Sequence, residues 1–112
     1  MSLLCDIIRK RGKMIVEKTE LFNSWLENLK DSAAKVRIVQ RIQRMEGGNF
    51  GEFRNLDGGV SELKINYGPG YRIYYCRTGV VVYLLLCGGN KSTQEKDIEL
   101  AKEMRKCLQK KN

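Results

Sequence analysis

Gly59-Val60-Ser61-Glu62-Leu63-Lys64-Ile65-Asn66-Tyr67-Gly68-Pro69-Gly70-Tyr71-Arg72-Ile73-Tyr74-Tyr75 reads as two alternating strands joined by a tight reversal. Successive side chains on a strand point to opposite faces. Tyr67-Gly68-Pro69-Gly70 supplies both the φ freedom and the rigidity that a reversal needs. In such a hairpin Lys64 and Arg72 are expected to meet across the two strands. Paired cations on a sheet form an anion site, with phosphate the foremost candidate. Working outward, further strands are predicted over Glu52–Leu56 and Val80–Cys87, with Arg77-Thr78-Gly79 as the turn before the latter. With Val60–Asn66 and Tyr71–Arg77 they are expected to pair as an antiparallel meander. Val80–Leu86 is apolar throughout, which predicts a central strand covered on both faces.

On the N-terminal side the period lengthens. Met14–Lys18 predicts a short edge strand, and Thr19 is placed to cap a helix that carries Glu20 in its first turn. Leu21, Phe22, Trp25, Leu26 and Leu29 form its apolar stripe, which ends near Lys30. Asp31 or Ser32 caps a second helix. Val36, Ile38, Val39, Ile42 and Met45 are its expected buried side, and Gly47-Gly48 its stop. Along that helix Lys30, Arg37, Arg41 and Arg44 fall on one line, a basic ridge suited to docking phosphate or simply to facing solvent. Past Gly88-Gly89, Ser92-Thr93-Gln94-Glu95 has the spacing of a capping box. It opens a last helix whose apolar side is Ile98, Ala101, Met104 and Leu108. Strand, two helices, a run of strands and a closing helix, without internal repeats, predict a single α+β domain.

Composition narrows the function classes. Of 112 residues, 42% are hydrophobic and 30% charged with one proline, which excludes low-complexity and collagen-like chains. Lys and Arg outnumber Asp and Glu by 21 to 13, a formal net charge of +8, so polyanions or acidic proteins are the expected partners. No apolar run approaches the ~20 residues of a membrane span. The apolar core of Met1–Lys13 is too short for a secretory signal, and the expected location is the cytoplasm. Cys5, Cys76, Cys87 and Cys107 are scattered and there is no histidine, so no zinc site is expected and the thiols are read as reduced core residues. The lack of histidine also removes the commonest general base.

Several motifs in fixed order carry a resemblance. They are Thr19-Glu20-x-Phe22-x-x-Trp25-Leu26-x-x-Leu29-Lys30-Asp31, Gly48-Asn49-Phe50-Gly51-Glu52, Gly59-Val60-Ser61-Glu62-Leu63-Lys64-Ile65 and Tyr67-Gly68-Pro69-Gly70-Tyr71-Arg72. Leu84-Leu85-Leu86-Cys87-Gly88-Gly89-x-Lys91-Ser92-x-Gln94-x-x-Asp97-Ile98-x-x-Ala101 completes the set. From about Met14 to Cys107 the chain resembles the HigB-like addiction module killer proteins of the RelE/ParE toxin superfamily. The resemblance implies a RelE-like α+β fold. An N-terminal strand and a helical hairpin would pack on a mainly antiparallel sheet of about four to five strands, followed by a C-terminal helix. It also implies the toxin of a type II toxin-antitoxin module that enters the ribosomal A site and cleaves messenger RNA. In such relatives the 2′-hydroxyl attacks the adjacent phosphate and leaves a cyclic phosphate, without cofactor or metal. The implied partners are a cognate antitoxin, messenger RNA and the ribosome, with no membrane.

Carried over by position, Arg72 matches the arginine that contacts the scissile phosphate, and Lys64 one of two lysines on the preceding strand. Lys91 matches a basic residue that steadies the phosphate or leaving group. Two positions depart from the family pattern. Glu62 stands where the second lysine is expected and is either a general base or a neutralising partner for Arg72 and Lys64. Asp97 stands where a tyrosine is expected. Proton transfer then falls to Glu62, Asp97, Lys64 or a tyrosine. Strand alternation selects Tyr74, on the same face as Arg72. Arg37, Arg41 and Arg44 are the candidate RNA-binding ridge. The missing tyrosine and histidine keep open a ParE-like inhibitor of DNA gyrase, and the basic ridge and sheet keep open a non-catalytic module that binds an antitoxin or nucleic acid. The pattern opens at Met14, so residues 1–13 are expected to be an extension, a short helix over Leu3–Arg9 or a tail, before a toxin domain over residues 14–112. Without the extension the formal charge falls from +8 to +5.

Overall fold

The computed structural model describes residues 13–110. The expected Leu3–Arg9 helix and Cys5 lie outside that range. Eight regular elements follow one another: β1 (Ile15–Lys18), α1 (Glu20–Glu27), α2 (Ser32–Glu46), β2 (Phe53–Asn55), β3 (Val60–Ile65), β4 (Tyr71–Arg77), β5 (Val82–Asn90) and α3 (Gln94–Lys110). The five strands make one mixed sheet in the order β1-β5-β4-β3-β2. β1 runs parallel to β5, and the remaining pairs are antiparallel. This is an α+β architecture with a helical hairpin and a C-terminal helix, and no described helix is long and apolar enough to cross a membrane.

The first two helices start where their caps dictate. Phe22 N–H donates to Thr19 Oγ1 at 3.0 Å, and the Thr19 hydroxyl donates to the Leu86 carbonyl at 2.7 Å, tying the cap to the sheet. Asp31 Oδ1 accepts from Ala33 and Ala34 N–H at 3.0 and 3.2 Å, so Asp31 rather than Ser32 is the second cap. The hairpin α1–α2 buries Phe22, Ala34, Ile38, Ile42 and Met45 against Leu63, Ile65, Tyr71, Ile73, Tyr75 and Leu85 on one face of the sheet. Phe22 alone, fully buried, contributes about 1.5–3 kcal/mol of transfer free energy. Val36 and Val39, expected in this core, are 55% and 41% exposed. They lie about 200° and 100° around the helix from Ile38, so the apolar stripe follows Ala34, Ile38, Ile42 and Met45 alone. Leu21 is likewise 46% exposed.

The opposite face packs against α3. Val60, Tyr74, Cys76, Leu86 and Cys87 meet Ala101 there, with Ile98, Met104 and Leu108 at the margin. Beyond that core, Glu62, Lys64 and Arg72 line a cleft beside the start of α3, with Glu62 and Arg72 themselves buried. Two boundary expectations are corrected. Val80, expected to open the central strand, lies 80% exposed in the turn, and β5 begins at Val82. β5 then continues through Gly88-Gly89 to Asn90, where a Cβ at Gly88 would collide with the Trp25 ring and one at Gly89 with the Asp97 carboxylate. These glycines mark close approach of helices to a strand. The cap before α3 is Asn90 rather than Ser92. Asn90 Oδ1 accepts from Ser92 N–H at 2.9 Å, and Thr93 Oγ1 accepts from Asn90 N–H at 3.2 Å, closing a single turn ahead of the helix. Cys76 and Cys87 are buried as expected, but Cys107 is exposed.

Candidate functional site

The end of the sheet that holds this cleft is organised by the β3–β4 hairpin. Gly70 N–H donates to the Tyr67 carbonyl at 3.0 Å, and Gly68, at φ 56°, takes the left-handed conformation that closes the reversal. The resulting register sets Lys64 directly opposite Arg72 and Glu62 opposite Tyr74, all on one face. β2 adds Arg54 opposite Glu62. Glu52, Phe53, Arg54, Glu62, Lys64, Arg72 and Gln94 line a cleft of about 340 Å³. Lys64, Arg72 and Lys91 line an adjoining one of about 380 Å³ beside the reversal.

Glu62 is the hub. Only 3% exposed, its carboxylate accepts from Arg54 Nε at 2.8 Å and from Gln94 Nε2 at 2.9 Å. Its Oε2 lies 3.6 Å from Arg72 Nε. Burial pushes the Glu62 pKa up, but hydrogen bonds from Arg54 and Gln94 and the charge of Arg54 outweigh it, so the group sits below its usual value and stays ionised. A carboxylate so engaged is a poor proton acceptor and a good anchor for arginines. Arg72 is 6% exposed, donates from Nη1 to the Gly70 carbonyl at 3.0 Å, and keeps an Nε that completes no hydrogen bond. Lys64 Nζ, 3.9 Å from Glu52 Oε2, is held loosely. Lys91 is exposed.

Two candidate acid–base residues stand apart from both clefts. Tyr74 is fully buried in the core under α3. Its hydroxyl faces Glu62 without completing a hydrogen bond, and burial followed by the Glu62 charge raises its pKa strongly. Alternation places it on the Arg72 face, and α3 packs over that part of the face. Asp97 sits over Gly89 and accepts from the Thr93 hydroxyl at 2.5 Å, which makes it part of the opening turn of α3. The basic ridge is also divided. Arg41 donates to the carbonyls of Lys64 at 2.6 Å, Phe50 at 3.0 Å and Glu52 at 3.2 Å, and so clamps α2 to the sheet. Arg37 and Arg44 are exposed beside it. Among the described residues no group of three or more Cys, Asp or Glu is arranged to hold a metal ion.

Sequence reasoning missed Arg54 and Gln94. Arg54 is reachable from the placement of Glu62, since a two-strand register brings it opposite. Gln94 belongs to the quoted motif, but its contact spans the gap from β3 to α3 and has no local signature.

The fold and site define a class: an α+β protein with a five-stranded mixed sheet, one end of which holds a buried carboxylate between two arginines and a glutamine. No family model matches the chain. It is 47% identical over 87 residues to an uncharacterized protein of Haemophilus influenzae, an alignment that covers 78% of this chain and 88% of that one. The chain belongs to the same family as that Haemophilus protein.

Proposed function

We propose that this protein is a HigB-like toxin of the RelE/ParE superfamily, a ribosome-dependent endoribonuclease that cuts messenger RNA and is held in check by a cognate antitoxin. The observation that carries the reading is Lys64 set against Arg72 in an open cleft, the Arg72 guanidinium braced by Glu62 and the Gly70 carbonyl. A guanidinium is able to donate two parallel hydrogen bonds to a phosphate and never loses its charge. Lys64 and Lys91 add positive charge where a phosphorane-like transition state gathers negative charge. Glu62 acts through Arg72 as a positioning residue. Activity on the ribosome puts the protein in the cytoplasm. An acidic antitoxin segment over the basic cleft would block entry to the ribosome.

Inducible expression of wild type beside Arg72→Ala, with RNA ends mapped by primer extension, tests the proposal. The expected outcome is growth arrest with new 5′ ends in wild type and neither in Arg72→Ala. Uncut messenger RNA while translation runs sinks it. A second reading, a non-catalytic binding module, is favoured by one observation: Glu62 is engaged by Arg54 and Gln94 and Tyr74 is sealed, so neither is placed to take a proton from a ligand in the cleft. Unchanged growth with either protein supports that reading. A DNA-damage response with intact messenger RNA would instead indicate a ParE-like gyrase inhibitor.

A further inference from the structure

Two sets of cations that are far apart in sequence lie on adjoining surfaces. The cleft beside the reversal is lined by Lys64, Arg72 and Lys91 with no carboxylate among its walls. A second, of about 220 Å³, is lined by Arg37, Arg41 and Arg44, again with no carboxylate. Asn66 belongs to both. Tyr67 lines the first and Arg37 the second, and the Arg37 guanidinium carbon lies 4.4 Å from the centroid of the Tyr67 ring. The boundary between the clefts is thus an arginine stacked on an aromatic ring.

We infer that single-stranded RNA follows one continuous track, from the Arg72 cleft over the β3–β4 reversal to the groove on α2, with the Tyr67–Arg37 stack as a platform for a base midway. The inference rests on the proposed function for the identity of the polyanion. A basic groove tracking phosphates, interrupted by a flat π surface, is the combination that holds single strands without regard to sequence. An acidic peptide would use the cations but gain little from the ring, and a duplex keeps its base faces stacked inside. Arg37, Arg44, Lys64 and Lys91 supply the phosphate contacts outside Arg72, while Arg41 holds the groove wall to the sheet.

The test is fluorescence anisotropy with 2′-O-methyl oligonucleotides, which lack the free hydroxyl needed for cleavage, at about four and about twelve nucleotides. The longer one is expected to bind more tightly. Tyr67→Ala should weaken it about tenfold while Tyr67→Phe keeps parental affinity, the pattern of a stacking interaction. Arg37→Ala with Arg44→Ala should flatten the salt dependence by about 0.7 in slope for each phosphate no longer neutralised. Equal weakening by Tyr67→Ala and Tyr67→Phe overturns the platform. An unchanged salt slope in the double arginine variant overturns the track. Poly-glutamate that displaces the oligonucleotide, and binds Tyr67→Ala as well as wild type, would assign the surface to an acidic protein and overturn the RNA assignment. If the expected weakening appears while messenger RNA stays uncut in cells, the track stands and the nuclease reading fails.

Discussion

Glu62→Gln isolates the hub of the site. The substitution preserves shape but removes the negative charge that, among the described residues, lies against the Arg72 guanidinium, which is itself just 6% exposed. Breaking a buried ion pair from one side costs about 3–5 kcal/mol, because the remaining charge is left uncompensated. The Gly70 carbonyl still accepts from Arg72, and the new amide keeps one acceptor, so the lower end applies, about 3 kcal/mol. The other arm is a hydrogen bond from the 58% exposed Arg54 side chain to the buried Glu62 carboxylate, of a kind that contributes about 1.5–3 kcal/mol. With a urea dependence of about 1.5 kcal/mol per molar, the Arg72 arm alone should lower the unfolding midpoint by about 2 M. Equilibrium urea titration followed by Trp25 fluorescence reads this directly. If Glu62→Gln unfolds within about 0.5 kcal/mol of wild type, Arg72 does not depend on Glu62 and its positioning by that carboxylate is wrong. The same pair sets a pH dependence. Glu62 in the folded protein holds its proton less tightly than in the unfolded chain. Its stabilisation is therefore fully present above the unfolded value near 4.5 and drains away as pH falls through the lower folded value. Glu62→Gln should lose that acid-side slope.

Other perturbations probe the rest of the molecule. Tyr74→Phe, which deletes a buried hydroxyl lacking a hydrogen bond, should leave stability unchanged or raised by up to about 1 kcal/mol. It should also leave RNA cleavage within a few-fold of wild type, and an abolished activity would return Tyr74 to the chemistry. Gly88→Ala forces a methyl into the Trp25 ring and should cost about 1–3 kcal/mol with altered Trp25 fluorescence; an unperturbed melting curve would contradict the packing described. Asp31→Ala removes the α2 cap and should cost about 1 kcal/mol by thermal melting. In a Cys5→Ser background, Cys107 should react rapidly with a thiol reagent at neutral pH. Cys76 and Cys87 should react only on unfolding, since both are buried and burial pushes the Cys87 thiol up to about 12. Three fast thiols would refute that.

Local chemistry makes much of the molecule legible. Thr19 and Asp31 announce helix starts because a capping oxygen acts within three residues, and Gly68-Pro69-Gly70 announces a reversal because backbone freedom is local. From that reversal and strict alternation the facing of Lys64 and Arg72 follows, with no long-range interaction needed to derive it. Tertiary packing alone decided the rest. Val36 and Val39 match the apolar pattern, yet only the placement of α2 on the sheet determines which stripe is buried. Gly88 and Gly89 read as a turn, but they are glycine because Trp25 and Asp97 approach the strand from opposite faces. Tyr74 and Arg72 share a face by alternation, yet α3 ends over one and leaves the other in an open cleft. Arg41 clamps α2 to the sheet because three carbonyls, distant in sequence, converge on it. The amino-acid order set periodicity, caps and turns, which are interactions between near neighbours. Which charges are free to meet a ligand depends on desolvation and on partners brought from across the chain, and those exist only once the helices have docked on the sheet.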